Sequence, residues 1–307
     1  MRRPCLFVVP DPKTKISGGN LYNAGLITAL CAAGVDVRVI DRDGARDVAR
    51  DDELCLVDSL YLAELPRFAP CWLLAHYLPA LVEGRERLSD VERTALLAAE
   101  GIVVPSAFMA DAFARLAPEP RPVAVVTPGL ELAHDAAARA PRAVVVANLV
   151  PGKGVLELLR SLGTRRLPLA VVGALDRDPV YASACRAAAP WVDFLGERTH
   201  AETLATIAAS DFLISSSRME SFGLALAEAR ALGVPIVALD RGNARAHVDE
   251  ASGGRLVGSD EALADACVRL AQDPSELDRR RRAARAQRAA PRTWADAARD
   301  FAAAFTD

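Results

Sequence analysis

Three groups of residues in this sequence have the types and spacing to do chemistry. In the stretch Arg218-Met219-Glu220-Ser221-Phe222-Gly223-Leu224, Glu220 is followed two helical turns later by Glu228. Lys153 stands between Gly152 and Gly154, in Ala147-Asn148-Leu149-Val150-Pro151-Gly152-Lys153-Gly154. His76 directly follows the apolar run Trp72–Ala75. Carboxylates accept hydrogen bonds from hydroxyl groups. A lysine and glycines at the start of a helix offer charge and open N–H groups to an anion. Together these residues suit a ligand that is rich in hydroxyls and carries phosphate-like charge.

Lysine usage sharpens the second group. Arginine is abundant, and the lysines of the chain are Lys13, Lys15 and Lys153, each beside a glycine-containing turn. A lysine kept where arginine is the default cation points to a task for a compact ammonium. The Lys153 turn is not a P-loop, because the Ser/Thr after the lysine and the P-loop glycine spacing are missing.

The elements that must hold these residues follow from periodicity. In the first half, strands are expected at 5–9, 35–40, 54–57, 72–75, 102–104 and 123–126, and helices at 21–33, 59–65, 91–99 and 107–116. In the second half, strands are expected at 143–147, 169–172, 192–195, 212–215, 235–239 and 255–257. Helices there fall at 155–162, 180–188, 201–209, 221–232, 261–272, 275–289 and 294–305. The 221–232 helix would carry Glu220 in the turn at its N-terminus, and Gly233 with Pro235 would stop it. Strand–helix alternation implies parallel sheets with helices on both faces, whose ligands bind at the carboxyl ends of strands. The alanine-rich, weakly patterned stretch near 132–142 separates the halves. The expected division is 1–135 plus a returning C-terminal helix, 293–307, against 136–292.

Other features carry less. The turn after the first strand, 10–20, holds Gly18 and Gly19 before a helix. It suits a phosphate, and equally suits a flexible loop with a Ser/Asn cap; it is not G-x-G-x-x-G. His76 reads either as a structural histidine or as a cleft residue. Asp58 and Ser106 read as helix caps, and His134 as exposed. The Asp-Arg-Asp triplets at 41–43 and 176–178 read as turns, with a metal on a diphosphate as their alternative. Arg279-Arg280-Arg281-Arg282, with Arg285, Arg288 and Arg292, reads as a solvated face answering nearby acids, with weak contact to an anionic membrane surface as its alternative. The net charge of −3 gives no global pull towards nucleic acid. Cysteines at 5, 31, 55, 71, 185 and 267 lack C-x-x-C pairing and read as reduced thiols. No apolar run approaches membrane-spanning length and no signal peptide is evident, so the expected location is cytoplasmic.

At this level the sequence resembles a known family. Glu220-x7-Glu228 with Ser221-Phe222-Gly223, followed by Ala231-Leu232-Gly233-Val234-Pro235-Ile236-Val237, is similar to the E-x7-E region of GT4-family retaining glycosyltransferases. The 148–154 turn looks like the family's G-R-L-x-P-x-K-G turn, and Val192-Asp193-Phe194-Leu195-Gly196 like its V-x-F-L-G strand. Gly18-Gly19 and His76 match its N-terminal glycine loop and cleft histidine.

The resemblance implies an α/β GT-B fold: two Rossmann-like, doubly wound domains facing across a cleft, with the C-terminal helix crossing back to the first. It implies transfer of a sugar from a nucleoside-diphosphate sugar, UDP or GDP, to a small-molecule, lipid or saccharide acceptor, with retention and without metal or other cofactor. Lys153 would neutralise the diphosphate and Glu220 contact the transferred sugar. Glu228 would take the ribose hydroxyls, and backbone N–H groups of Phe222, Gly223 and Leu224 the phosphate or sugar. Phe194 and Gly196 would lie by the base, His76 by the sugar, and Gly18 and Gly19 by the diphosphate and acceptor. The family's clamp arginine is Asn148 here, and Arg218 is the candidate replacement. The alternatives are a GT-B-like epimerase or phosphorylase, and a non-catalytic nucleotide-sugar-binding paralogue.

Overall fold

The computed structural model describes residues 3–11, 17–42, 50, 52–135, 142–288 and 290–305. Lys13, Lys15 and Asp43 lie outside the described residues, as does most of the 132–142 stretch. The chain divides into two compact units: 1–131 with 292–307, and 132–291.

Unit 1 contains a parallel sheet in the order β2-β1-β3-β4-β5-β6. Its strands are β1 (Cys5–Val8), β2 (Val37–Ile40), β3 (Leu54–Asp58), β4 (Cys71–Leu74), β5 (Ala99–Val104) and β6 (Val123–Val125). Helix α1 (Gly18–Ala32) follows β1, and a 3-10 segment, Ser59–Phe68, follows β3. Then come α2 (Pro79–Val82), α3 (Asp90–Ala98) and α4 (Ala107–Leu116). β1 and β3 are buried along their whole length, as a sheet covered on both faces requires. The strand order reverses between β1 and β3, so their carboxyl ends diverge into a crevice.

The last helix of the chain, α11 (Trp294–Ala304), belongs to unit 1. Its Ala297, Ala298 and Phe301 are buried with Phe7, Tyr22, Leu26 and Leu30. Trp294 lies edge-on to Tyr22, with ring centroids 5.9 Å apart. Its indole covers Gly25, where a Cβ would come within 2.2 Å of the ring.

Unit 2 has strands β7 (Ala143–Val146), β8 (Leu169–Val172), β9 (Asp193–Gly196), β10 (Phe212–Ser215), β11 (Ile236–Leu239) and β12 (Arg255–Val257). All pairings are parallel, in the order β12-β11-β10-β7-β8-β9. Counted from β7, this is the 3-2-1-4-5-6 order of the Rossmann sheet, with its switch point between β7 and β10. The helices are α5 (Val155–Leu162), α6 (Pro179–Ala188), α7 (His200–Ala209), α8 (Leu224–Leu232), α9 (Asp260–Gln272) and α10 (Pro274–Ala286). Helix α5 shows how sequence selects the core face: Val155, Leu156, Leu158, Leu159 and Leu162 are buried, while Arg160 is exposed.

Two local expectations are corrected. The 59–65 helix is a 3-10 segment with Pro66 inside it. The 221–232 helix begins at Leu224, because Gly223 takes a left-handed backbone (φ 91°) that breaks the helix there. Glu220 sits in the turn before α8, as expected, but four residues ahead of the first helical residue. The arginines of α10 are largely engaged within the unit. Arg279 and Arg280 pair with Glu276 and Arg281 with Asp211; just beyond the helix, Arg288 donates to the Leu232 carbonyl.

Candidate active site at the switch point of unit 2

The helices of unit 2 start in two ways. Asp178 caps α6, Thr199 α7, Ser259 α9 and Asp273 α10, each accepting a backbone N–H. Helices α5 and α8 instead start from left-handed glycines, Gly154 (φ 63°) and Gly223 (φ 91°), with no side-chain cap. These two helices follow the adjacent strands β7 and β10. Their first-turn N–H groups lack intrahelical acceptors, and the helix dipole puts partial positive charge there. In α5 one of these groups is satisfied, since Leu156 N–H donates to the Tyr181 hydroxyl at 2.9 Å.

The turns leading into these helices lie against each other. Arg218 N–H donates to the Gly152 carbonyl at 3.0 Å, and the Ser216 hydroxyl to the Lys153 carbonyl at 2.8 Å. A Cβ on Gly154 would fall 2.2 Å from the Ser216 carbonyl oxygen, so the approach depends on glycine. This packing puts Lys153 Nζ 3.2 Å from Glu220 Oε1, across sixty-seven residues of chain. The lysine side chain is about a third exposed and its partner less so, at 35% and 16%. The ammonium is thus held at the switch point and still reachable from solvent.

A second layer fixes the Glu220 loop. The Phe222 carbonyl accepts from Asn243 Nδ2 at 2.8 Å and from His247 Nε2 at 2.7 Å. Asn243 N–H donates to the Glu220 carbonyl at 2.8 Å. The His247 ring stands edge-on to Phe222, with centroids 4.8 Å apart. Burial holds the His247 imidazole below its ordinary pKa.

Glu228 lies one turn into α8 and is buried. Its Oε1 is 2.7 Å from Nε2 of His200, the first residue of α7. Burial pushes the Glu228 carboxyl above the usual glutamate range, opposed by the hydrogen bond and charge of His200.

The remaining expected residues of unit 2 take other places. Asn148 Oδ1 accepts from Ala174 N–H at 2.8 Å, tying the turn after β7 to the turn after β8. Arg218 is turned to carboxylates, 2.9 Å from Asp260 and 3.6 Å from Glu157. Phe194 is half-buried against the core of the unit, and Gly196 ends β9, which lies beyond β8 from β7.

Unit 1 has its own polar cluster at its own switch point. Ser17 caps α1, and Gly18 and Gly19 open it. A Cβ on Gly19 would touch the His76 ring at 3.3 Å. His76 Nε2 lies 2.7 Å from Asn23 Oδ1, and Asn23 Nδ2 donates to Asp58 at 2.7 Å. With an amide oxygen opposite it, Nε2 carries the proton and Nδ1 is left as an acceptor. Burial lowers the His76 pKa, opposed by Asp58. Asp58 caps the following segment through Leu60 N–H, and Ser106 caps α4.

Sequence reasoning missed His200, Asn243, His247 and Asn23. The signal available for the histidines was their rarity: the chain has 4, and His76, His200 and His247 all lie in these polar clusters. Asp41 accepts from Arg42 N–H and from the Tyr61 hydroxyl, and Asp178 caps α6. A cavity of about 220 Å³ lined by Arg255, Arg269, Asp273, Glu276 and Arg280 lies towards the strands' amino ends, away from the residues above.

Doubly wound parallel sheets in both units define an α/β protein of the GT-B fold class, with uncapped helix N-termini at the unit 2 switch point. Similar solved structures agree on that fold. Residues 140–273 match the model of the family Glycosyl transferases group 1. Among solved structures, the chain is similar to HepE (Alr3699) of Anabaena in complex with UDP and glucose, at a TM-score of 0.77 and 17% identity over 98% of this chain and 99% of that one. It is also similar to sucrose-phosphate synthase of Thermosynechococcus elongatus (TM-score 0.75, 19% identity, 98% of each chain). A third is WaaG, a glycosyltransferase involved in lipopolysaccharide biosynthesis (TM-score 0.69, 14% identity, 99% and 100%). At such identities these likenesses show the fold. A curated relative, glycerol-3-phosphate dehydrogenase [NAD(P)+] of Acidiphilium cryptum, is 31% identical over 173 residues, 54% of this chain. The match spans about half that relative's length, at 53%. Among the described residues no helix is long and apolar enough to cross a membrane.

Proposed function

We propose that the protein is a retaining glycosyltransferase of the GT4 type that uses a nucleoside-diphosphate sugar without a metal ion. The observation that carries this reading is the Lys153–Glu220 pair, set between two uncapped helix N-termini at the switch point of a Rossmann sheet. It offers a cation and open N–H groups to a diphosphate, with a carboxylate beside them for sugar hydroxyls.

The mechanism follows from charge. The bond between the anomeric carbon and the diphosphate oxygen breaks, leaving an oxocarbenium-like sugar and a diphosphate with an added negative charge. Lys153 and the α5 and α8 N-termini stabilise that charge as it develops. The acceptor oxygen then bonds to the anomeric carbon on the face the diphosphate leaves, and its proton passes to a departing phosphate oxygen. The carboxylates are poor candidates for a covalent intermediate. Glu220 is paired to Lys153, and Glu228 is buried against His200. Glu228 instead serves the ribose hydroxyls and Glu220 those of the sugar. UDP is the leading nucleotide, in keeping with the UDP complex of the Anabaena relative. Cytoplasmic action on a soluble donor fits this reading.

The test is a thermal-shift screen with UDP-, GDP-, dTDP- and ADP-sugars beside NADH and NADPH, since ligands of the native state raise its melting point. Stabilisation by one sugar-nucleotide series is expected. Stabilisation by the nicotinamide nucleotides alone would replace this reading with the dehydrogenase one. That outcome runs against the turn after β7, where Gly152-Lys153-Gly154-Val155-Leu156-Glu157 lacks the third glycine of G-x-G-x-x-G. Binding without hydrolysis or transfer across a broad acceptor set would favour a non-catalytic paralogue.

A further inference from the structure

We infer that His200 is the positioning residue for ribose recognition. It holds one oxygen of the Glu228 carboxylate, so that the other oxygen is presented as an acceptor to the vicinal hydroxyls of a bound nucleotide. The inference rests on the nucleotide-sugar reading above and adds to it a residue that the sequence motif does not contain.

Three observations carry it. First, the Glu228 side chain is only 4% exposed. A carboxyl so deeply buried favours its neutral form unless a donor meets it. Neutral, it would present a hydroxyl where two ribose hydroxyls need acceptors. Second, the donor is His200. Its Nε2 is 2.7 Å from Oε1, and its ring is 26% exposed, so it reaches from the surface to the buried carboxyl. Among the described residues Oε2 has no protein partner, and His200 is the one titratable group that bears on the carboxyl. Third, the position of His200 is built. It opens α7, whose Thr199 forms a capping box with Glu202, so the helix start and the ring attached to it are fixed. Helix α7 packs on α8, which carries Glu228.

A histidine that only stabilised the α7–α8 contact would affect every ligand alike. A positioning residue for a ribose acceptor acts on the hydroxyls. The experiment therefore compares UDP with 2′-deoxy-UDP, and ADP and GDP with their 2′-deoxy forms, by titration calorimetry at pH 7.5. The proteins are wild type, His200→Ala, His200→Gln and Glu228→Gln, each checked by thermal melting. Wild type is expected to prefer the ribonucleotide about tenfold, the scale of one hydrogen bond to a charged group. His200→Ala should cut that preference to about twofold or less, as Glu228→Gln should. His200→Gln keeps an N–H donor near the place of Nε2 and should restore most of it. Should His200→Ala fold poorly, His200→Phe, which keeps a ring without its N–H donor, decides the matter in its place. The inference is overturned if His200→Ala weakens both nucleotides equally, or if it leaves the preference intact while Glu228→Gln abolishes it. If wild type binds none of the nucleotides, the nucleotide-sugar reading itself falls, and the inference with it.

Discussion

The Lys153 ammonium lies 3.2 Å from the Glu220 carboxylate, and each group is the other's counter-ion. On the proposed function, an incoming diphosphate would compete with Glu220 for Lys153 and release the carboxylate for a sugar hydroxyl, so that donor binding and site assembly would be one exchange of partners.

The exchange separates two substitutions. Lys153→Ala should lower turnover with the accepted donor at least about a hundredfold, the scale of losing one oxyanion-type donor. It should cost less than about 1 kcal/mol of stability, because the pair is partly exposed. Glu220→Gln should bind UDP as well as wild type or better, since Lys153 is then unpaired, and still lose turnover. Calorimetry and a discontinuous transfer assay read the two effects. Near-normal turnover in Lys153→Ala would sink its assignment.

Glu228 should show a trade between stability and binding. Its carboxyl pKa is raised by burial above the ordinary 4.5, so the folded state holds the proton more tightly than the unfolded state. The associated stability is full below that ordinary value and is lost as pH rises through the folded value. Glu228→Gln should therefore melt higher than wild type at pH 7.5 and converge with it near pH 4, while binding nucleotide more weakly. Melting curves across that range check the sign; a lower melting point at pH 7.5 refutes it.

His76 should act with the opposite slope. Burial lowers its pKa below 6.5, so the unfolded state takes up the proton first. Its contribution is complete above 6.5 and is lost as pH falls from there through the folded value. His247 is shifted the same way and adds to the effect. Wild type should lose melting temperature between pH 7.5 and 5.5, and His76→Gln should lose less.

The loop carrying Glu220 should be sensitive from behind. Gly242 has φ 56°, and a Cβ there would fall 2.5 Å from the Glu220 backbone N and O. Gly242→Ala should cost about 1–3 kcal/mol and displace Glu220. Asn243→Ala removes one of two donors to the Phe222 carbonyl and should cost about 1 kcal/mol. Denaturant unfolding gives the first figures, and sugar-nucleotide affinity should fall in both variants.

What the sequence determined by itself was local. Alternating apolar runs and helical periodicity placed the strands of both sheets to within a few residues, because strand and helix period are properties of neighbouring residues. The Gly152-Lys153-Gly154 turn and the two glutamates were legible for the same reason, since their chemistry is in their types and their spacing. Partnership was not legible. His200 meets Glu228 across twenty-eight residues, and Lys153 meets Glu220 across sixty-seven. Arg218, a candidate clamp by sequence, is drawn to Asp260 on α9. Only the order β12-β11-β10-β7-β8-β9 brings the ends of β7 and β10 side by side, and only packing decides which carboxylate each cation reaches. Charge and hydrogen-bond capacity are written residue by residue, but pairing depends on distances that the chain acquires when its sheets close.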